Sequence, residues 1–207
     1  NVEMVPYQVP LLPWQVGGTP APEARLSDPH KMRFLFVGRL SPEKAVVDLV
    51  TAFSRLARPE YSGWSLTIVG TGPDEFKIRG LASLDRRITL VGSVPYSKLD
   101  VYYRNSDVLV LPSHAEAWGL VVNEAAGYGL YLLISDGCGA AQDLVSPDTG
   151  TIFPAGDVPS LVAAMRETTA LLMRTPQWNK PDTTCREMAI SIQRLAERQS
   201  PTPTDSP

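Results

Sequence analysis

The stretch RFLFVGRLSPEKAVVDLVTAFSRLAR, residues 33–58, passes from a continuous apolar run into an amphipathic pattern. Its first six residues are typical of a buried strand that ends at Gly38. Ser41 then suits an N-cap and Pro42 the first position of a helix. Apolar residues recur at helical spacing after that point, at Val46, Leu49, Val50, Phe53 and Leu56. The stretch therefore predicts a β-strand followed by an α-helix.

The same alternation continues along the chain. Four more apolar runs predict strands, at residues 64–70, 87–92, 107–113 and 130–135. Helices are predicted at residues 73–83, 97–105, 118–128 and 159–172. Strands that are apolar on both faces are typical of a parallel sheet that helices cover on both sides. Because strands and helices alternate, we predict an α/β fold, a single Rossmann-like domain with a doubly wound, mostly parallel sheet.

Proline is concentrated at the two ends of the chain. Six of the 19 prolines lie in the first 30 residues and three lie in the last eight. Proline resists both helices and central strands. We therefore predict a proline-rich arm at 1–31, the Rossmann-like domain at 32–173, a helical segment at 174–199 and a disordered tail at 200–207. The chain starts at Asn1 rather than at a methionine, so we expect it to be cut from something longer.

Composition excludes several classes of function. The net charge is −3 and the basic residues are scattered, so neither nucleic acid nor a polybasic membrane patch is indicated. No apolar run approaches the roughly 20 residues of a transmembrane segment, and no signal peptide is visible. Cys138 and Cys185 lack metal-ligand spacing. We expect reduced thiols in a cytoplasmic protein, attached to a membrane only through a partner, with a disulfide as the alternative.

Candidate ligand-binding residues follow the strands, since ligands of an open α/β sheet bind beyond the carboxyl ends of its strands. Glycine recurs there, which allows close backbone approach, although glycine also simply ends strands. Arg39 and Lys44, with the free amides of a helix start, would suit a diphosphate; the alternative is a solvated helix start. Neither GxxxxGK[ST] nor GxGxxG occurs, so a P-loop and a nicotinamide fingerprint are both absent from the sequence.

The stretch HAEAWGLVVNEAAGYG, residues 114–129, carries two carboxylates eight positions apart. Glu116 falls in the loop after a predicted strand, and Glu124 falls five or six residues into the next helix, about 8–9 Å along its axis. Between them lie the unpaired amides of the helix start, an anion site. A sugar hydroxyl, a diphosphate and a ribose diol would fit in that order. The alternative is that both glutamates are ordinary surface acids.

Taken together, these residues resemble the retaining glycosyltransferases of family 4 (group 1), which have the GT-B fold. Residues 116–124 resemble the E-x7-E motif of that family. Other similar stretches follow in the family's order, namely VGRLSPEK (37–44), LTIVGTGP (66–73), ITLVGSVP (88–95), ISDGCGAAQDLV (134–145) and GTIFPAGD (150–157). The resemblance covers about residues 32–172. It implies metal-independent transfer of a glycosyl group from a nucleotide sugar, such as a UDP or GDP sugar, to an acceptor with retention of configuration.

The resemblance also implies a role for each residue near the donor. Arg39 and Lys44 would bind the diphosphate, and the backbone of Val94 would meet the base, beside residues 98–99. Glu116 would be the catalytic residue, lying against the hydroxyls of the transferred sugar near the reacting carbon. Glu124 would hold the ribose hydroxyls. The phosphates would rest on the backbone amides of Trp118, Gly119 and Leu120.

The sequence departs from the family pattern at several points. The resemblance covers only the donor-binding half of such an enzyme, so an acceptor-binding domain or subunit is the expected partner. Ala45 replaces a usual glycine, and Tyr131 replaces a usual proline. His114 is read as a local hydrogen-bonding residue. Two alternatives remain: a non-catalytic nucleotide-binding or partner-binding module that kept the fold, and an epimerase or phosphorylase, for which no acid/base set or cofactor lysine is visible.

Overall fold

The computed structural model describes residues 30–174, and six strands in this part of the chain form one parallel sheet. The strands are β1 (Arg33–Val37), β2 (Ser65–Val69), β3 (Ile88–Gly92), β4 (Val108–Leu111), β5 (Tyr131–Ser135) and β6 (Gly150–Phe153). They lie in the order β3-β2-β1-β4-β5-β6, and each neighbouring pair is parallel. The predicted α/β doubly wound architecture is confirmed.

Helices connect the strands on both faces of the sheet. They are α1 (Val46–Ser54), α2 (Glu75–Ala82), α3 (Asp100–Arg104), α4 (Leu120–Gly127), α5 (Ala141–Leu144) and α6 (Val158–Arg174). Three short 3-10 turns lie at Pro42–Lys44, Pro59–Tyr61 and Tyr96–Lys98. Helix α1 packs against α2 and α6. Within residues 30–174, no helix is both long and apolar enough to cross a membrane.

The core lies between the sheet and its two helix layers. Every residue of β4 and β5 is buried, as expected for central strands that are covered on both faces. On β1, the ring of Phe34 packs against Phe53 of α1 and against Trp64, with centroids 5.8 and 5.3 Å apart. The buried carboxylate of Asp107 accepts hydrogen bonds from the backbone and guanidinium of Arg33, which fixes the start of β4 beside β1.

The first predicted helix is wrong in its limits. Pro42–Lys44 forms a 3-10 turn, and Ala45 adopts a left-handed conformation (φ 52°) before α1 begins. Ser41 makes no capping bond, because its hydroxyl donates to Glu43 at 2.5 Å. Helix α1 ends at Ser54, where the Arg87 guanidinium donates to the carbonyls of Phe53 and Leu56. The predicted end at Arg58 is also disfavoured, because Pro59 restricts the residue before it.

Other differences concern short elements. Strand β6 is absent from the predicted strands, since its four residues, GTIF, include a glycine and only two apolar side chains. The helix predicted at residues 97–105 is divided into a 3-10 turn and α3, and α4 begins two residues later than predicted. The predicted arm, C-terminal segment and tail lie outside the described residues except for residues 30, 31 and 174, and the status of Cys185 also stays a prediction.

Candidate functional site

The candidate site lies where the order of the strands reverses, between β1 and β4. From β1 the connections run one way to β2 and β3, and from β4 they run the other way to β5 and β6. A crevice opens at such a point, beyond the carboxyl ends of the two strands. The loops that follow β1 and β4 meet there, since the amide of His114 donates to the carbonyl of Glu43 at 2.8 Å. We call this side of the sheet the carboxyl edge.

Lys44 and Glu116 form an ion pair at the carboxyl edge. The ammonium of Lys44 donates to the Oε2 atom of Glu116. Both side chains are mostly buried, with exposed fractions of 21% and 16%. Burial lowers the pKa of Lys44, and the nearby Glu43 carboxylate opposes that shift. Two candidates taken from separate stretches of sequence are therefore in direct contact, and both remain open to solvent on one side.

The backbone of Glu116 is held by the loop that follows β5. The amide of Glu116 donates to the carbonyl of Gly137, and the amide of Gly139 donates to the carbonyl of Glu116, each at 2.9 Å. A Cβ atom on Gly139 would lie 2.1 Å from the carbonyl oxygen of Ala117, so only glycine fits at this contact. These two hydrogen bonds fix the backbone of Glu116, from which its carboxylate projects.

Helix α4 begins at Gly119, whose φ of 88° is left-handed. A Cβ atom there would lie 3.1 Å from both Cys138 Sγ and a Leu111 methyl group. The carbonyl of Trp118 accepts hydrogen bonds from Cys138 Sγ at 2.9 Å and from the Ala140 amide at 3.1 Å. It is thereby turned towards the loop after β5.

Unlike the carbonyl of Trp118, the amides at the start of α4 are not hydrogen-bonded in the described part of the chain. Those of Trp118, Gly119 and Leu120 donate to no acceptor within residues 30–174. Unpaired amides at a helix start attract anions. These three follow Glu116 by two to four residues in the chain, so they lie close to the Lys44–Glu116 pair. The indole of Trp118 is tied to the same helix, because its Nε1 donates to the Asn123 side-chain oxygen at 3.1 Å.

Glu124 lies one turn further along α4, in a cluster of tyrosines. Its Oε2 atom accepts a hydrogen bond of 2.6 Å from the hydroxyl of Tyr103. Burial raises the pKa of Glu124, and hydrogen bonds from Tyr103 and Tyr96 partly oppose that effect. The ring of Tyr103 stacks on that of Tyr128 with centroids 5.1 Å apart. The Arg104 guanidinium lies over the Tyr128 ring, 5.6 Å from its centroid.

The remaining candidates lie around this centre. Arg39 directly follows Gly38 and is exposed. The hydrogen bond from the Ser41 hydroxyl lowers the pKa of Glu43, and the charge of Arg39 adds a smaller effect in the same direction. Val94 is half-buried in the segment after β3, two residues before the turn Tyr96–Lys98. The His114 side chain lies outside the core with its Nε2 atom 3.5 Å from an Asp48 carboxylate oxygen.

The sequence missed two residues of this site, Tyr103 and Cys138. Tyr103 contacts Glu124 from another helix, 21 residues earlier in the chain. Cys138 was read only as a free thiol, yet it packs at Gly119 and binds the Trp118 carbonyl. No local spacing relates either residue to the E-x7-E stretch, and the family-like stretch at 134–145, which contains Cys138, does not indicate its contact with Trp118. Within residues 30–174, no group of three or more His, Cys, Asp or Glu side chains is arranged to hold a metal ion.

Comparison with curated proteins finds relatives that are longer than this chain. It is 38% identical to a glycogen synthase of Mycobacterium tuberculosis over 135 residues, which cover 64% of this chain and 32% of the relative. It is 30% identical to a sulfoquinovosyl transferase of Arabidopsis thaliana over 143 residues, which cover 67% of this chain and 27% of the relative. The chain thus spans about a third or less of each relative's length.

Solved structures share the fold. Sucrose-phosphate synthase from Thermosynechococcus elongatus superposes with a TM-score of 0.64 at 25% identity, covering 83% of this chain and 46% of the other. The catalytic domain of a cholesterol-α-glucosyltransferase from Helicobacter pylori gives 0.63 at 22% identity, covering 79% and 98%. The sequence profile of glycosyl transferases group 1 matches residues 21–171. With that match over most of its length, the chain belongs to the glycosyl transferases group 1 family.

Proposed function

We propose that this chain is the nucleotide-sugar-binding domain of a retaining glycosyltransferase, which acts together with an acceptor-binding domain or subunit. The observation that supports this most is the contact of Lys44 with Glu116 beside the unpaired amides of α4. A cation, an anion-binding helix start and a carboxylate are what a glycosyl diphosphate needs at its phosphates and at its sugar. The fold and the family membership are consistent with that use.

The diphosphate would lie between Arg39, Lys44 and the start of α4. When the bond between the sugar and the diphosphate breaks, negative charge grows on the departing phosphate oxygens. Fixed cations and fixed amides stabilise that charge without reorganising, which is the main electrostatic contribution expected at such a site. Lys44 is mostly buried, so its charge is less screened by water than that of an exposed lysine. In this proposal the donor phosphates, rather than a metal ion, meet the protein's own positive groups.

The nucleoside would extend along α4 towards Glu124. The Glu124 carboxylate would accept hydrogen bonds from the ribose hydroxyls, and the backbone of Val94 would contact the base. The sugar would lie on the other side of the diphosphate, against Glu116. Glu116 would bind the hydroxyls of the transferred sugar and so place the reacting carbon towards the acceptor. The glycosyl group would then reach the acceptor from the face that the nucleotide leaves, which gives retention.

The acceptor side must come from elsewhere in this proposal. The chain spans 32% of the glycogen synthase relative and 46% of the sucrose-phosphate synthase structure. The described residues form one sheet with its two helix layers, and that sheet is already used for the donor. An acceptor-binding domain or subunit facing the carboxyl edge would close the crevice and exclude water from the reaction.

Calorimetric titration of the full chain with UDP, GDP and ADP tests the donor site. At least one of the three should bind, and Lys44→Ala should weaken that binding about tenfold or more, since it removes a charge-assisted contact. The matched control is Lys77→Ala, because Lys77 is an exposed lysine of α2. Binding of none of the three nucleotides, or equal binding by wild type and Lys44→Ala, would overturn the proposal.

A second titration distinguishes the proposed donor domain from the alternative named above, a non-catalytic nucleotide-binding module. A donor site that includes Glu116 should bind the nucleotide sugar more tightly than the matching nucleoside diphosphate, and Glu116→Gln should remove that advantage. A module that recognises only the nucleotide should show equal affinity for both ligands in wild type and variant. The comparison uses UDP with UDP-glucose and GDP with GDP-mannose.

A further inference from the structure

One short contact joins the predicted residue Glu124 to Tyr103, a residue outside the predicted set. The Tyr103 hydroxyl donates to the Oε2 atom of Glu124 at 2.6 Å, within the range of about 2.5–2.7 Å that is typical of a hydroxyl bound to a carboxylate. Tyr103 is 2% exposed, so its hydroxyl has little access to water. The contact therefore joins α3 to α4 through a charged hydrogen bond in a mostly dry environment.

The phenol ring of Tyr103 is fixed as well as its hydroxyl. It stacks on Tyr128 at an interplanar angle of 10°, and Tyr128 lies just after α4. The Tyr103 amide donates to the carbonyl of Leu99, the residue just before α3, which holds the Tyr103 backbone in the helix. A ring that is packed on one face and bonded at its hydroxyl has a single position. The oxygen that it contacts on Glu124 is thus fixed in place.

A carboxylate has two oxygens, and Tyr103 engages one of them. The Tyr96 hydroxyl also acts on this carboxylate, but Tyr96 is 51% exposed and can give way to a ligand hydroxyl, whereas Tyr103 is 2% exposed. If the Oε2 atom is fixed, rotation about the last side-chain bond of Glu124 stops, and the direction of Oε1 is set. Hydrogen bonds weaken steeply when their angle departs from the favourable range, so a set direction matters for a ligand hydroxyl.

We propose that Tyr103 is a positioning residue for ribose recognition, which holds Oε2 of Glu124 so that Oε1 accepts the hydroxyls of the nucleotide ribose. The inference rests on the proposed donor site and extends it to a residue that makes no contact with the donor itself. It gives the protein a means to prefer a nucleotide with a ribose diol over one that lacks it. A purely structural tyrosine would affect both kinds of nucleotide alike.

The test compares pairs of ligands that differ only in the ribose hydroxyls. UDP, GDP and ADP are each titrated against their 2′,3′-dideoxy counterparts, with the full chain and with Tyr103→Phe. Wild type should prefer the ribonucleotide about tenfold, as expected for hydrogen bonds to a charged group. Tyr103→Phe should reduce that preference to about twofold and leave the affinity for the dideoxy ligand unchanged. Tyr102→Phe, in the same helix, is the matched control and should keep the full preference.

Glu124→Gln tests the positioning role of Tyr103 through the same ribose preference. It should lower the preference as Tyr103→Phe does, and the double variant should lose no more than either single variant, because both act at one carboxylate. Equal weakening of ribo and dideoxy ligands in Tyr103→Phe, or full additivity in the double variant, would overturn the positioning role. If wild type binds nucleotides with no ribose preference, the inference fails and the donor site stands. If wild type binds no nucleotide, the proposed function fails too.

Discussion

Lys44 and Glu116 are 72 residues apart in the chain and form an ion pair at the point where the strand order reverses. In the protein without ligand, each charge neutralises the other. A diphosphate that binds Lys44 must therefore compete with Glu116, whereas a sugar that binds Glu116 relieves the competition. In the proposed donor site, the two residues would therefore respond in opposite ways to the diphosphate and to the sugar.

The first prediction follows from that competition. Glu116→Gln removes the competing carboxylate, so a nucleoside diphosphate without a sugar should bind two- to fivefold more tightly. The estimate corresponds to about 0.4–1 kcal/mol, the usual strength of a pair that water partly screens. Titration calorimetry at low salt measures it, and the gain should shrink as salt is added.

The control for this charge effect is Glu75→Gln. Glu75 pairs with Arg79 on the surface of α2, and its removal changes the net charge of the protein by the same amount. Nucleotide affinity should stay unchanged in that variant. Weaker binding of the diphosphate by Glu116→Gln would show that the Lys44–Glu116 pair does not compete with the ligand.

A second prediction concerns the start of α4. Gly119→Ala places a Cβ on a residue with φ 88° and against Cys138 Sγ, a Leu111 methyl group and Glu116 Cγ, at 3.1–3.2 Å. The left-handed backbone alone costs an alanine about 1–2 kcal/mol. The contacts should add to that cost and move the helix start, so that both the free energy of unfolding and the nucleotide affinity fall.

Gly129→Ala separates the two causes. Gly129 also has a positive φ, 71°, but a Cβ there has no heavy atom within 4 Å. Urea denaturation should show only the backbone cost in this variant, and nucleotide titration should match wild type. An equal loss of nucleotide affinity in both variants would mean that the Cys138 contact does not shape the helix start.

The alternation of apolar and amphipathic segments was enough to predict the doubly wound sheet, because chain direction and helix crossovers leave few topologies open. The edge at which a ligand would bind stays a prediction. The same pattern could not predict which side chains are in contact. Lys44 reaches Glu116 only because β1 and β4 are neighbours, and Tyr103 reaches Glu124 only because the fold brings these side chains of α3 and α4 together. Contacts of this kind depend on tertiary packing and have no signature in local spacing.

Two departures from the family pattern illustrate the same limit. Tyr131 stands where a proline is usual, and its amide donates to the carbonyl of Asp107 at 2.9 Å, a bond that proline could not make. Its hydroxyl is 2.7 Å from that of Thr151 on β6, so the larger residue is well accommodated. Ala45 is different, because it takes the left-handed conformation that glycine would adopt at no steric cost.

That difference gives a third prediction. Ala45 is the one residue other than glycine with a positive φ within residues 30–174. Ala45→Gly should therefore raise the free energy of unfolding by about 0.5–1 kcal/mol, since relief of the left-handed strain exceeds the added freedom of the unfolded chain. Chemical denaturation measures the change. Ala52→Gly is the control with the opposite sign, because Ala52 is buried within α1, where glycine destabilises a helix. Destabilisation in both variants would contradict the strain at Ala45.

The last prediction concerns the pH dependence of stability at Glu124. Burial raises the pKa of this carboxyl above its ordinary value of 4.5, and the hydroxyls of Tyr103 and Tyr96 reduce the shift without cancelling it. Because the folded pKa is the higher one, the folded protein binds the proton more tightly than the unfolded chain does. Ionised Glu124 therefore destabilises the fold, and the free energy of unfolding should fall as pH rises through the interval between the unfolded and folded pKa values.

Glu124→Gln removes that titration and keeps an oxygen that can accept the Tyr103 hydrogen bond. Below the ordinary pKa of 4.5 the variant and wild type should be about equally stable, and above the raised folded pKa the variant should be the more stable protein. Urea denaturation from pH 4 to pH 8 measures the difference at each pH. The half-buried carboxylate would thus be retained at a cost in stability for the sake of the ligand, so the stabilised variant should also bind nucleotide more weakly. A difference in stability that does not change with pH would show that Glu124 has the same pKa in the folded and unfolded chains.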